Sequence, residues 1–314
     1  MRWSFTVWAG RVRFMTLTGL YVPLITPFDR SGAVAVDALE ALANEVLDAG
    51  ARGVVALGTT AEVSSLTAAE QQLVIDVAAG VCRARQARLV VGANTPQALE
   101  ALGDRDVVGA LHVAALSVVP PFVRPGEDGV VAHFTRLAAD SPVPLVVYDI
   151  PYRTGQYLSE ATLRRLAAVP GVVGLKYAPG GINADTIGLF ADKPSDLAIL
   201  GGDDTFISPL LALGADGGIL ASAHLATAEF VRLIDAWHSG DVTTARMVGG
   251  RLGVLSAALF AEPNPTVTKA VLHAQGRIPT PDVRLPLLPA HPDTTSAALD
   301  ALTAAERPLA TQRG

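Results

Sequence analysis

Cysteine is almost absent: the 314-residue chain has one, Cys82. A lone thiol cannot close an internal disulfide, which points to a reducing compartment, the cytoplasm. No uninterrupted apolar run reaches 18 residues, so no membrane-spanning helix is expected. Aromatic residues make up only 5% of the chain, there is no basic run or basic–aromatic stripe, and the net charge is −6. That argues against nucleic acid as a partner. Half of the residues are apolar, enough for a folded chain with a sizeable core in one large domain or two ordinary ones.

The first 18 residues, "MRWSFTVWAGRVRFMTLT", lack a continuous apolar segment, so a secretory signal is not expected. They read as a disordered N-terminal extension or a spurious upstream start. Met15 is a candidate start, because patterned sequence begins just after it.

From there, short apolar runs alternate with longer segments of helical period. The runs lie at 20–25, 53–57, 88–93, 112–119, 144–150, 171–176, 197–202 and 217–222. Each is nearly continuous in apolar character, as parallel strands covered on both faces should be. Helices are expected at 37–49 and after Thr67, where Thr67 and Glu70 have capping-box spacing. Others fall near 96–103, 126–139, 159–168, 181–191, 204–213 and 224–238. Eight βα units over residues 19–239 fit a (β/α)8 TIM barrel. A doubly wound open sheet would carry a Gly-rich phosphate turn after its first strand, where this chain has "TPFDRSG". Helical segments near 241–261, 263–275 and 294–305 form an appended C-terminal region over residues 240–314.

Lysine is the other scarcity. Of 24 basic residues only Lys176, Lys193 and Lys269 are lysines. Arginine evidently serves wherever positive charge suffices, but it cannot act as an amine nucleophile. Lys193, before Pro194 in a polar loop, is expected to be solvated. Lys269, within a C-terminal helix, is expected at the surface or in packing. Lys176 ends the apolar run "GVVGLK", the C-terminal end of the sixth strand. Reacting groups of a barrel sit at that face, and an amine on an apolar base there loses its proton readily and can attack a carbonyl. The plainer alternative is a strand-end lysine reaching to solvent.

Other strand ends supply partners. "GTTAE" places Thr59 and Thr60 in a turn able to hold a small carboxylate, or simply to cap a helix. Tyr148, ending the fifth strand, could relay protons, or fill the core. Arg153 could grip a carboxylate with two bonds, or lie free on the surface.

These pieces, in order, resemble the pyruvate-dependent class I aldolases typified by dihydrodipicolinate synthase and N-acetylneuraminate lyase. The likeness runs from about Gly19 to Pro289 and is carried by "VPLITPF", "GTTAE", "VYDIPYRTG", "GLK" and "GGDD". It implies a TIM barrel, a homotetramer or homodimer, and neither metal nor organic cofactor. Lys176 would form a Schiff base with pyruvate or another 2-oxo acid, and Tyr148 would be the proton relay. Thr59 and Thr60 would hold the keto-acid carboxylate and join that relay, while Gly202 and Ile219 would line the pyruvate pocket. "PYRTG", "EPNPTVTK" and "DVRLPLLP" resemble the synthase branch, in which Arg153 would bind the carboxylate of aspartate 4-semialdehyde on the route to diaminopimelate and lysine.

The chain also departs from that branch. Val119-Pro120-Pro121-Phe122 stands where Thr-Pro-Tyr-Tyr is usual, so Phe122 lacks the hydroxyl that completes the relay across subunits, and Pro121 removes a tyrosine of the lysine-feedback site. Ala61 replaces a turn glycine, a strain if that position needs positive φ, and Tyr177 follows the lysine in place of an acidic residue. An aldolase or dehydratase of another 2-oxo acid, such as a 2-keto-3-deoxy sugar acid, is the alternative activity. A keto-acid-binding protein without turnover is a third reading.

Overall fold

In the computed structural model, eight parallel strands close into one barrel in sequence order. The structure describes residues 17–103 and 113–307. The strands are β1 (Gly19–Pro23), β2 (Gly53–Ala56), β3 (Arg88–Gly92), β4 (Val113–Val118), β5 (Leu145–Asp149), β6 (Val172–Tyr177), β7 (Ala198–Gly201) and β8 (Gly217–Ile219). Pairing of β1 with β8, Tyr21 beside Ile219, completes the ring.

The continuous apolar runs are explained by two burial layers. Tyr21, Val55, Val90, Leu116, Val146, Tyr148, Leu200 and Ile219 fill the barrel interior. Alternate residues such as Val54, Val147, Leu175 and Ile199 face the surrounding helices. With both faces buried, no strand shows polar alternation.

The extension expected over residues 1–18, and Met15 with it, lies outside the described residues except at its last two positions. There it needs correcting: Leu17 is buried in the barrel interior, so the fold has begun by that residue.

Helix boundaries follow local chemistry. Thr67 and Glu70 form the capping box of Ala68–Arg85. The helix expected from 181 starts at Ala184, where the Asn183 side chain accepts from Thr186 N. The one expected from 263 starts at Thr266, after the two prolines of Pro263-Asn264-Pro265, which lack the N–H a helix needs. Beyond the eighth unit, Val242–Leu259 packs between the helices Thr227–Ser239 and Pro292–Ala305. Among the described residues, no helix is long and apolar enough to cross a membrane.

Candidate active site

β5 and β6 pair with Tyr148 beside Lys176, after a register shift between Leu145 and Val146. Period-two alternation sends Leu175 and Tyr177 toward the helices and Lys176 into the barrel mouth. Lys176 is 6% exposed, and its Nζ lies 4.1 Å from the centre of the Tyr148 ring. Burial lowers its pKa to about 8; the Asp204 carboxylate opposes that shift and the Arg153 charge adds to it. Burial also raises the Tyr148 phenol well above its ordinary value.

One more of the expected residues meets the lysine. A Cβ on Gly202 would fall 2.7 Å from Lys176 Cγ and 2.8 Å from Cε, so only glycine lets the lysine stem pass. Ile219 ends β8 in the barrel interior. Thr60 is buried in the turn after β2, where its Oγ1 accepts from Asn264 Nδ2 at 2.9 Å. Thr59 opens the same turn but is exposed. Arg153 is exposed in the helical turn Pro151–Thr154 after β5, its guanidinium 5.0 Å from the Tyr152 ring centre, close enough to act on Lys176 and Tyr148 through its charge.

The departures also find their places. Ala61 is fully buried and is not at positive φ; the left-handed residue of this turn is Glu62, at φ 55° and ψ 35°. The alanine therefore carries no backbone strain. Tyr177 is a helix-layer residue whose hydroxyl bonds Thr186 Oγ1 at 2.9 Å, away from the lysine amine. Phe122 is 94% exposed on the loop after β4.

Of the other lysines, Lys193 corrects the sequence reading and Lys269 takes the packed alternative. Lys193 is ion-paired rather than solvated: its Nζ donates to Asp216 Oδ2 at 2.5 Å, and the same oxygen accepts from Ile199 N at the start of β7. Lys269 is fully buried, 2.8 Å from Glu62 Oε1 and 4.1 Å from the Phe28 ring centre. Glu62 Oε2 also accepts from the backbone N of Arg284 at 2.7 Å.

Sequence reasoning gave no role to Asp204, although it quoted "GGDD". Its Oδ1 accepts from Ser222 N at 2.6 Å, and burial holds its pKa up at about 6 against the attraction of Lys176. Asn264 was also missed, because the residue it bonds lies 204 positions away. Cys82 is buried, and its thiol pKa is pushed up to about 12, so it is no nucleophile. Among the described residues, no group of three or more His, Cys, Asp or Glu could hold a metal ion.

A buried amine on a barrel strand, beside a phenol and acted on by a buried carboxyl group, stands at the C-terminal mouth of a TIM barrel, an arrangement able to attack a carbonyl. The chain belongs to the Dihydrodipicolinate synthetase family, whose profile matches residues 16–305. It is 33% identical over 276 residues to 4-hydroxy-tetrahydrodipicolinate synthase 2 of Clostridium acetobutylicum, covering 88% of this chain and 96% of that one. It is 34% identical to the 4-hydroxy-tetrahydrodipicolinate synthase of Nitratidesulfovibrio vulgaris, over 93% of this chain and 99% of the other. The crystal structure of dihydrodipicolinate synthase from Thermotoga maritima superposes with a TM-score of 0.85 at 27% identity, over 93% and 99% of the two chains.

Proposed function

We propose that this protein is a class I lyase that condenses pyruvate with aspartate 4-semialdehyde, the 4-hydroxy-tetrahydrodipicolinate synthase reaction of diaminopimelate and lysine biosynthesis. The observation that carries the reading is Lys176, a buried amine with a lowered pKa held against the Tyr148 ring. Neutral Nζ adds to the ketone carbon of pyruvate, and the carbinolamine loses water to give an imine. Loss of a methyl proton then gives an enamine, whose carbon bonds to the aldehyde carbon of the second substrate as the aldehyde oxygen takes up a proton. The semialdehyde's own amine then adds to the imine carbon and expels Lys176 Nζ, closing the ring and freeing the lysine. Tyr148 moves protons at the carbinolamine, with Thr59 in the relay, and Thr60 holds the keto-acid carboxylate. Gly202 and Ile219 line the pyruvate pocket. Arg153, at the rim, grips the carboxylate of the semialdehyde. The lysine itself is the electron sink, so no cofactor enters this reading.

The active form is a homotetramer or homodimer in the cytoplasm. Phe122, Val123, Tyr152 and Tyr157 lie exposed on the loops after the neighbouring strands β4 and β5, an apolar patch of the kind that subunits cover. Light scattering tests the assembly.

A second reading rests on Phe122, which has no hydroxyl to offer a relay. It has the same imine releasing pyruvate from a 2-keto-3-deoxy sugar acid, whose own hydroxyls move the protons. The named relatives favour the first reading. The test is borohydride trapping of pyruvate with peptide mapping, followed by turnover with each aldehyde. An adduct on Lys176 together with consumption of aspartate semialdehyde supports the synthase. An adduct without turnover of any aldehyde would point to a keto-acid-binding protein. Normal turnover in Lys176→Arg would sink every lysine-based mechanism.

A further inference from the structure

We infer that Asn264 is a positioning residue that fixes the direction of the Thr60 hydroxyl, an inference that rests on the proposed role of Thr60 in binding the keto-acid carboxylate. A threonine hydroxyl has one proton to donate and two lone pairs that accept. Asn264 Nδ2 occupies a lone pair of Thr60 Oγ1 from 2.9 Å. An amide NH2 only donates, so the Thr60 proton must point elsewhere. No acceptor for that proton is found among the described residues. Thr60 is 4% exposed, so the free proton is not simply given to bulk water. An ionised carboxylate in the mouth is an acceptor only, and is the partner such a proton suits.

The bond to Thr60 is the one hydrogen bond found for the amide among the described residues, Asn264 Oδ1 being buried without a partner, and the segment that carries it is braced nearby. Asn264 lies just before the helix Thr266–Ala274, which carries Lys269. Lys269 is bound to Glu62, two residues beyond Thr60, and Thr26 Oγ1 donates to the intervening Ala61 O at 2.8 Å. The segment that carries Asn264 is thus tied to the hydroxyl turn at one further point, through Lys269 and Glu62, and Thr26 fixes the turn to the loop after β1.

The inference makes an unusual ordering of variants. Asn264→Ala frees the Thr60 hydroxyl to rotate, whereas Asn264→Asp keeps the shape but presents an acceptor and turns the proton away from substrate. A role in packing alone predicts that alanine is the worse change. The experiment measures kcat and KM in both variants, each also combined with Thr60→Val. We expect Asn264→Asp to raise the pyruvate KM about tenfold more than Asn264→Ala, with a smaller fall in kcat, as loss of one charge-assisted bond implies. In the Thr60→Val background the difference should shrink to about twofold or less, since coupling through one hydroxyl vanishes with it. Alanine equal to or worse than aspartate, or the full difference persisting without the hydroxyl, overturns the inference; the latter would reveal plain charge repulsion.

Should the aspartate variant not fold, Asn264→Leu decides. It should raise the pyruvate KM a few-fold while leaving borohydride trapping of a ketone without a carboxylate at the wild-type level. Equal losses on both ketones overturn the inference. Trapping of pyruvate on wild-type Lys176 is the separate control: its failure sinks the activity reading and this inference with it, whereas the wrong variant order sinks the inference alone.

Discussion

Lys269 and Glu62, 207 residues apart, meet 2.8 Å from each other with neither side chain more than 2% exposed. The pair ties the helix Thr266–Ala274 to the turn that carries Thr59 and Thr60. Removing one partner leaves a buried charge uncompensated, a loss of about 3–5 kcal/mol. Lys269→Met should therefore lower stability by that order in urea titration. Lys269→Met combined with Glu62→Gln should recover much of the loss, because no net charge is then stranded.

The pKa of Lys176, about 8, sets the direction of the pH profile. The attacking form is the neutral amine, so kcat/KM for pyruvate should climb with pH and level off above about 8. Removing the Asp204 carboxylate, which favours the charged amine, should move that rise to lower pH. The check is the pH dependence of kcat/KM in the wild type and in Asp204→Asn.

Asp149 ends β5 facing the helices, with Oδ1 buried and unpartnered, and burial raises its pKa to about 7. The folded state therefore holds a proton that the unfolded chain releases near pH 4, and stability falls as pH rises from about 4 to 7. Asp149→Asn should remove that slope and stabilise the protein at pH 8 by about 2–4 kcal/mol. Melting temperature against pH, in both proteins, measures it.

Arg153 stands at the rim and not against the amine. Arg153→Ala should raise the KM for aspartate semialdehyde by about tenfold or more, as loss of a charge-assisted pair implies. The KM for pyruvate should change about twofold at most. Steady-state kinetics varying each substrate in turn separates the two effects.

The barrel was legible because strands covered on both faces must be apolar throughout, and each of the eight runs forms a strand. Lys176 was legible because scarcity of lysine singled it out and strand phase aimed it inward. The same scarcity flagged Lys269 but could not place it: its partner Glu62 sits in another part of the chain, and a buried ion pair leaves no local pattern. Asn264 was hidden for the same reason. Ala61 was misjudged as a possible strain because spacing alone cannot say which residue of a turn takes positive φ; Glu62 does. Lys193 read as solvated beside a proline, yet it closes on Asp216 across 23 residues.

Asn264, Lys269 and Arg284 all reach back to the turn between Thr60 and Glu62. Synthesis runs from the N terminus, at about 5–20 residues per second. The eight strands are thus complete before the residues that brace the Thr59–Glu62 turn have left the ribosome. A nascent chain ending before Asn264 holds Lys176 and Tyr148 but leaves the turn unbraced. Closure of the strands and bracing of this turn are thereby separate events in synthesis, the second waiting on residues 264–284.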